Sequence, residues 1–279
     1  PIADVEQLTL HGRPSSVMVQ FVRPGARLMI LSNGTGTAAE ISRILNERGY
    51  GDSKIYVYEH MGGPLERVVE GTAENFPYSD IAPFNTVGVE CVAGPDAVIR
   101  SRVPGLSEDV FINDGNITKR EVRAAALAAL APLPGQHLWD VGAGCGAVAI
   151  EWMRTHLSCR ATAVELRPDR IRMIASNAIA LGVPQLGIVE GEATRVMGGL
   201  DPPDAVFIGG GVSTPGLLDR CWDVLPKRGR LVGNAVTLEG ENALAAFRDR
   251  HGGDLTRIAV SRAEPVGTFT GWKPLMAVT

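Results

Sequence analysis

The stretch that decides the fold is WDVGAGCGAV, at residues 139–148. An apolar run ending at Trp139 leads into Asp140, then into three glycines at alternate positions, and then into a helix-like run at residues 148–153. Glycine is needed where a backbone turns tightly and a ligand approaches it closely. This order therefore predicts a strand, a glycine-rich turn and a helix, with a nucleotide-like cofactor at the carboxyl end of the strand.

Two cofactor classes are compatible with this turn. Gly142, Gly144 and Ala147 satisfy the dinucleotide fingerprint, in which the third position is glycine or alanine. Asp140 argues against a dinucleotide, because that strand is normally still apolar two residues before its first glycine. A carboxylate there can accept hydrogen bonds from an amino-bearing ligand. The pattern resembles motif I of class I S-adenosylmethionine-dependent methyltransferases, and this resemblance implies that Asp140 lies near the methionine moiety.

Three further apolar runs follow at intervals that leave room for helices, at residues 161–165, 186–189 and 204–208. Each run ends in acids or glycines. A single glycine-rich loop could be an ordinary turn, but a series of strand ends with such residues indicates a ligand site. Glu165 lies near the spacing expected of a carboxylate that binds both ribose hydroxyls. The other candidate residues at these strand ends are Glu192, Ala193, Gly209, Gly210 and Gly211.

Composition and charge narrow the function classes. A net charge of −4 without a basic run argues against nucleic acid as a partner. No apolar stretch is long enough to span a bilayer, and no signal-peptide pattern is present. The four cysteines form no C-x-x-C pair and the five histidines have no ligand spacing, so we expect no metal site and a reducing, cytoplasmic location.

The sequence predicts two domains joined by a linker. Residues 1–93 form a small α/β lobe, with strands at 28–31, 54–58 and 85–92 and a helix at 37–48 capped by Thr37. Residues 94–110 have little periodicity and contain Gly-Pro and Pro-Gly pairs, which is typical of a linker. Residues 111–279 form the second domain.

Regular alternation of strands and helices in the second domain predicts a parallel, doubly wound sheet. A capping box from Thr118 to Glu121 precedes a helix at 122–130, and Pro168 begins another helix. Helices are also expected at residues 217–225 and 243–247, and strands at 230–234 and 255–260. A last strand at residues 273–279 would complete the sheet as an antiparallel edge.

Longer motifs carry a family resemblance. Residues 113–123, followed by 140–146, resemble the CbiT-type module of cobalamin biosynthesis. Residues 11–13, 31–34 and 59–67 resemble the carboxyl-terminal lobe of the CbiE-type tetrapyrrole methylase. Fused in this order, the two parts resemble the CobL-type family of decarboxylating precorrin-6Y C5,15-methyltransferases. The sequence departs from the family in lacking the first CbiE-type lobe, which carries its own Gly/Pro-rich cofactor loop.

The resemblance implies an enzyme of cobalamin biosynthesis that uses S-adenosylmethionine on a polycarboxylated precorrin. Methylation is expected at meso carbons 5 and 15, with decarboxylation of the ring C acetate, and the CbiT-like module is assigned carbon 15 and the decarboxylation. Because half of the CbiE-type cleft is missing, we expect this chain not to methylate carbon 5. The family also implies a homo-oligomer, a tetramer.

Site residues follow from the resemblance by matching position. It implies cofactor contacts at Thr118, Asp140, Gly142, Ala143, Gly144, Cys145, Gly146, Glu165, Glu192 and Ala193. The backbone amides after Gly209, Gly210 and Gly211 suit substrate carboxylates. Lys119, Arg120, Arg195, Arg262 and Lys273 suit them as well, and the sequence favours no single one of these cations. It identifies no catalytic residue.

Two other interpretations remain open at the level of sequence. The first is a class I methyltransferase acting on another small molecule, on RNA or on protein. The second is a Rossmann-type dehydrogenase or a cofactor-binding scaffold without catalysis. Equilibrium binding of S-adenosylmethionine against NAD distinguishes the second interpretation from the methyltransferases.

Overall fold

The computed structural model describes residues 4–279 and divides into two compact units. Unit 1 takes the described residues up to Ser101 together with Ile179–Pro184, and unit 2 takes Arg102–Ala178 and Gln185–Thr279. Within residues 4–279, no helix combines the length and apolarity needed to cross a bilayer.

Unit 1 is built on a mixed five-stranded sheet in the order β1-β2-β5-β3-β4. β1 and β2 pair in parallel, whereas the other pairs are antiparallel. The sequence analysis predicted β2, β3 and β5 but missed β1 and β4, in which polar residues interrupt the apolar pattern. The elements are β1 (Val5–Thr9), β2 (Arg27–Leu31), α1 (Thr37–Asn46), β3 (Lys54–Glu59), β4 (Arg67–Thr72) and β5 (Asn85–Glu90).

The start of α1 differs from the prediction. The N-cap is Gly36, and no side chain caps the helix. The hydroxyl of Thr37 instead accepts a hydrogen bond from the backbone N–H of Asn33 at 3.0 Å, so it closes the preceding turn. The prediction that Thr37 is the cap was therefore wrong.

Unit 2 is built on a five-stranded sheet in the order β10-β9-β6-β7-β8, and every neighbouring pair is parallel. The elements are α2 (Arg120–Leu130), β6 (His137–Val141), α3 (Ala147–Thr155), β7 (Arg160–Glu165), α4 (Pro168–Ala180), β8 (Gly187–Glu190), α5 (Ala193–Val196), β9 (Ala205–Ile208), α6 (Leu217–Asp223), β10 (Arg230–Gly233) and α7 (Leu238–His251). The central strand β6 and its neighbour β9 are buried along their whole length. Chain order reverses between them, which is the doubly wound α/β arrangement that the sequence predicted.

The carboxyl-terminal residues do not complete this sheet. They form a separate antiparallel hairpin of β11 (Ser261–Val266) and β12 (Phe269–Pro274). Only Lys273 and Pro274 of the predicted strand at 273–279 belong to β12. The predicted strand at 255–260 contributes an isolated bridge between Ile258 and Val278. Val266 pairs with Phe269 across a two-residue loop in which Gly267 has a φ of +61°. Such a turn favours pairing between adjacent segments, so the prediction of an antiparallel edge strand was wrong.

The predicted capping box at the start of α2 is also absent. The N-cap is Lys119, which makes no side-chain cap hydrogen bond. The backbone N–H of Arg120 donates to Oε1 of Glu108 at 2.8 Å, so the acceptor comes from twelve residues earlier in the chain. Thr118 is therefore not a helix cap, which leaves its side chain available for another role.

Candidate functional site

A cavity of about 480 Å³ opens at the carboxyl ends of β6 and β9, and we call it the switch-point cavity. Open α/β sheets bind ligands at the point where strand order reverses, outside the carboxyl ends of the strands. Asp140 and Gly142 line the cavity from the end of β6, and Phe207 and Gly209 line it from the end of β9. A larger cavity of about 560 Å³ lies against α6, α7 and β10, but none of the predicted site residues lines it.

The glycine-rich loop between β6 and α3 is held close to other parts of unit 2. Gly142 has a φ of +67°, and an added Cβ would lie 2.9 Å from the carbonyl oxygen of Gly210. Gly146 has a φ of +81°, and an added Cβ would lie 3.0 Å from Cγ2 of Ile174. The glycines thus permit both the left-handed backbone and the close approach that the sequence indicated, against the segment after β9 on one side and α4 on the other.

Asp140 is a buried carboxyl group in the wall of the switch-point cavity. Its Oδ2 accepts a hydrogen bond from the N–H of Ala149 at 3.0 Å. Its Oδ1 is buried and has no hydrogen-bond partner within the described residues. Burial raises the pKa of this carboxyl to about 7, against the lowering effect of the Ala149 hydrogen bond, and the nearby charge of Glu165 raises it further. An unsatisfied buried acceptor in a cavity wall fits a ligand that donates, such as an ammonium group.

Glu165 ends β7 and holds the glycine-rich loop. Its Oε2 accepts from the N–H of Gly144 at 2.8 Å. Its Oε1 accepts from the N–H groups of Leu166 and Arg167 at 2.9 and 3.1 Å. Glu165 is not among the residues that line the switch-point cavity. The contact of Glu165 with a ribose stays a prediction. The hydrogen bonds of its carboxylate fix the loop between β6 and α3.

The structure brings together eight of the thirteen predicted site residues. Those that line the switch-point cavity are Thr118, Asp140, Gly142, Ala143, Gly144, Cys145, Gly209 and Gly210. Those outside its wall are Gly146, Glu165, Glu192, Ala193 and Gly211. Glu192 is the N-cap of α5, and its carboxylate pairs with Arg195 at 2.9 Å.

Several lining residues were not predicted. Residues 115–117 and Arg170 extend the wall on one side, and Asn234 extends it from the end of β10. The motif at residues 113–123 carried a signal for the first segment, because it precedes the glycine-rich loop in the resemblance. Asn234 had a weaker signal: it is a polar residue directly after a predicted strand, at the same edge as Asp140.

A buried ion pair fixes the backbone that leads to residues 115–118. Arg123 and Glu151 are 0% and 2% exposed, and Nε of Arg123 donates to Oε1 of Glu151 at 2.9 Å. Glu151 also accepts from the N–H groups of Gly105 and Leu106 at 2.7 and 2.9 Å. Arg123 donates to the carbonyl oxygens of Leu106 and Thr118. Part of the predicted linker is therefore bound within unit 2, to the same pair that holds Thr118.

Two further contacts tie this segment to the loop. The amide of Asn177 donates to the carbonyl oxygens of Ile112 and Cys145 at 2.9 and 3.0 Å, and its oxygen accepts from the N–H of Ile112 at 2.8 Å. Arg170 donates from Nε and Nη2 to Oδ2 of Asp114 at 3.0 and 2.9 Å. The hydrogen bond from Arg170 lowers the pKa of Asp114.

Comparison with known proteins identifies a family for this chain. The family model described as a precorrin methyltransferase domain matches residues 109–279. The chain is 41% identical over 278 residues to a Sinorhizobium protein named precorrin-6Y C(5,15)-methyltransferase [decarboxylating], a match that covers all of this chain and 67% of that protein. The chain spans about two thirds of the length of the longer curated relatives that it matches.

A shorter relative and a solved structure also match. A Salmonella typhimurium protein named cobalt-precorrin-6B C(15)-methyltransferase (decarboxylating) is 32% identical over 175 residues, or 61% of this chain and 90% of that protein. The crystal structure of the C-terminal domain of precorrin-6Y C5,15-methyltransferase from Rhodobacter capsulatus is 44% identical, with a TM-score of 0.60, and covers 64% of this chain and 97% of that chain.

Proposed function

Because the chain belongs to the precorrin methyltransferase family, we propose that it methylates a precorrin at meso carbon 15 and removes carbon dioxide from its ring C acetate. The methyl donor is S-adenosylmethionine, and the pathway is cobalamin biosynthesis. One observation carries the proposal: the residues that match the family, 109–279, include every residue that lines the switch-point cavity. The name of the shorter relative gives carbon 15 as the position that is methylated, which supports this assignment. Its match of 175 residues is too long to lie within unit 1 and therefore includes part of unit 2.

The chain's own residues fit the proposed cofactor. The unsatisfied Oδ1 of Asp140 would accept from the ammonium group of the methionine moiety. Thr118 and the loop at residues 142–146 would border the same moiety, Glu165 the ribose, and Glu192 and Ala193 the adenine. When bound, S-adenosylmethionine supplies an electrophilic methyl group on its sulfonium.

The protein's part in such a transfer is positional. A meso carbon between two pyrrole-derived rings is enamine-like and nucleophilic, so it needs no strong base. The residues around the cavity hold the reacting groups in line and exclude water, and such alignment can contribute about 7–11 kcal/mol to lowering a barrier. The buried contacts of Arg123, Glu151 and Asn177 suit this task, because they fix the cavity wall before a ligand arrives.

We assign the substrate's carboxylates to the region after β9. Gly209 and Gly210 line the switch-point cavity. The N–H of Gly209 donates to the carbonyl oxygen of Val141 at 2.9 Å, so the amides proposed for an anion are those of Gly210 and Gly211. Residues 1–93 are proposed to be the C-terminal lobe of a tetrapyrrole methylase, joined by residues 94–110 to the CbiT-like module at 111–279. Carbon 5 is assigned to the tetrapyrrole methylase domain rather than to unit 2.

We also propose that the chain forms a homo-oligomer, a tetramer in the cytoplasm. The hairpin of β11 and β12 supports association, because Val266, Phe269 and Trp272 are 63%, 80% and 78% exposed on it. All four cysteines are buried free thiols, which suits a reducing compartment. Light scattering across the micromolar range tests association, with a Trp272→Ser variant expected to shift the mass toward the monomer. A purely monomeric unaltered protein would contradict it.

Equilibrium binding tests the cofactor. We expect calorimetry to detect S-adenosylhomocysteine and not NAD, and a Glu165→Ala variant to bind it about 1–3 kcal/mol more weakly if a ribose hydroxyl loses its partner. Binding of NAD alone would favour the dinucleotide interpretation.

Product analysis tests the reaction. The chain is incubated with the precorrin precursor and methyl-labelled S-adenosylmethionine, and the label is located by NMR. We expect label at carbon 15 and loss of one carboxyl group. Label at carbon 5, or methylated product that keeps the acetate, would contradict the assignment.

A further inference from the structure

Lys119 lies in the wall of the switch-point cavity without a counter-ion among the described residues. Lys119 is partly buried and lines the cavity. Within residues 4–279, its ammonium group has no salt bridge or hydrogen bond. The other basic groups nearby are compensated: Arg170 pairs with Asp114, and Arg123 pairs with Glu151.

Two polar side chains in the wall of the same cavity also have no partner within the described residues. Thr118 and Asn234 are partly buried and line the same cavity, and neither side chain has a hydrogen bond within the part of the chain that the structure describes. Both side chains are therefore free to donate a hydrogen bond to a ligand in the cavity. A cation among neutral donors selects an anion, and a planar acid group fits them better than a neutral carbonyl.

The cavity also contains the complementary group. Oδ1 of Asp140, on a residue that is 1% exposed, is a buried acceptor without a donor within the described residues. One wall therefore offers an acceptor and another offers a cation with neutral donors. This pairing matches a ligand that carries an ammonium group and a carboxylate, or two ligands that bring one each.

We propose that Lys119 binds a carboxylate in the switch-point cavity, with Thr118 and Asn234 as neutral donors in the same cavity wall. It is therefore a specificity-determining residue, and this proposal rests on the proposed function. The carboxylate has two possible sources with the same chemistry: the amino-acid end of the cofactor, or an acidic side chain of the tetrapyrrole. The ammonium group of Lys119 gives up its hydration for a charge-assisted hydrogen bond.

Binding measurements on variants of the full chain test this role. Lys119→Met removes the charge, and Lys119→Arg keeps it. Arg120→Gln is the matched control, since Arg120 is the next cation in the chain but is exposed and outside the cavity wall. The probes are S-adenosylhomocysteine, 5′-methylthioadenosine, which lacks the amino-acid end, and uroporphyrin, a tetrapyrrole with eight carboxylates.

We expect Lys119→Met to weaken at least one carboxylate-bearing probe by about 10- to 100-fold, the range for a hydrogen bond to a charged group. The affinity for 5′-methylthioadenosine should not change, and Lys119→Arg should restore most of the loss. A loss for S-adenosylhomocysteine identifies the cofactor carboxylate, and a loss for uroporphyrin identifies the substrate carboxylate.

Three results would overturn the inference. If Lys119→Met binds both carboxylate probes with unchanged affinity, Lys119 does not bind a carboxylate, and the proposed function still stands. If Lys119→Met loses affinity equally for 5′-methylthioadenosine, the substitution disturbs the cavity in general, and the same conclusion follows. If the unaltered protein binds neither S-adenosylhomocysteine nor uroporphyrin, the proposed function fails and this inference fails with it.

Discussion

Arg123 and Glu151 clamp a single residue, Leu106, from both sides. Glu151 accepts the N–H of Leu106 at 2.9 Å, and Arg123 donates to the carbonyl oxygen of the same residue. The two side chains also bind each other with almost no exposure to solvent. Because a buried ion pair must be desolvated, it is weak support for stability by itself, but breaking it leaves an unpaired buried charge. We infer that the pair positions the backbone next to the switch-point cavity.

We expect Arg123→Met to lower the free energy of unfolding of unit 2 by about 3–5 kcal/mol, because Glu151 is left buried without its cation. Urea unfolding followed by tryptophan fluorescence measures this change. The fluorescence reports unit 2 alone, since all four tryptophans lie there, at Trp139, Trp152, Trp222 and Trp272.

The matched control is Lys273→Met. Lys273 pairs with Glu264 on the terminal hairpin, where the two side chains are 66% and 42% exposed. Exposed pairs contribute about 0–1 kcal/mol. Equal losses for the two variants would show that burial gives the Arg123 pair no special role.

We expect Gly142→Ala to disrupt the glycine-rich loop by more than backbone strain alone. The added Cβ would lie 2.9 Å from the carbonyl oxygen of Gly210, and both groups belong to the backbone. Gly135→Ala is the control, because Gly135 has a φ of +86° but open space around the added Cβ. Gly135→Ala should cost about 1–2 kcal/mol from the left-handed conformation, and Gly142→Ala more.

Ligand binding separates the two glycine variants further. Under the proposed function, calorimetry should show that Gly142→Ala weakens S-adenosylhomocysteine at least about tenfold, because a displaced loop loses about one hydrogen bond to the ligand. Gly135→Ala should leave the affinity unchanged. Equal stability and equal affinity for the two variants would mean that the contact with Gly210 does not constrain the loop.

Acid should loosen the start of α2 through Glu108. Burial alone would raise the pKa of Glu108, but hydrogen bonds from Arg262 and from the N–H of Arg120 outweigh it and lower the pKa to about 2. A lowered native pKa gives stability that is present above the unfolded value and is lost as pH falls from about 4.5 toward 2. The stability difference between the unaltered protein and Glu108→Gln, measured by urea unfolding, should therefore shrink across that interval. A constant difference would contradict this role of the charge.

The glycine-rich stretch at residues 139–148 was sufficient to predict β6, the loop and α3, because a tight turn next to a buried strand is a local requirement. The cap of α2 could not be predicted from the neighbouring residues. Its acceptor is Glu108, which reaches Arg120 only because the intervening segment folds back. Thr118 and Glu121 match a capping box in sequence, yet the structure uses neither as one.

The residues that line the switch-point cavity also divide into those that a local pattern predicts and those that it does not. Asp140, Gly142 and Gly209 could be predicted, since the carboxyl ends of parallel strands meet at one edge of a sheet. Asn234 and Arg170 enter the wall through strand order and helix packing, which no local pattern encodes. The prediction of an edge strand was wrong for a local reason, because the two-residue turn at Gly267 pairs β11 with β12.

Asp140 makes the stability of unit 2 depend on pH in the opposite direction from Glu108. Burial raises its native pKa to about 7, whereas an unfolded aspartate titrates near 4. Between these values the folded state binds more protons than the unfolded state, so the contribution of Asp140 to stability falls as pH rises from about 4 to 7.

Asp140→Asn tests this dependence, because an amide oxygen can still accept from the N–H of Ala149 while the group carries no charge. We expect the variant to gain stability over the unaltered protein as pH rises from 5 to 8, by at most about 3 kcal/mol, because about two pH units of the shift lie in this range. Groups that titrate equally in both proteins cancel in the difference. Bound S-adenosylhomocysteine should reduce the gain, since an ammonium group at Oδ1 favours the carboxylate. A difference that is flat across this range would mean that Asp140 is already ionised in the folded protein and finds a donor before any ligand binds.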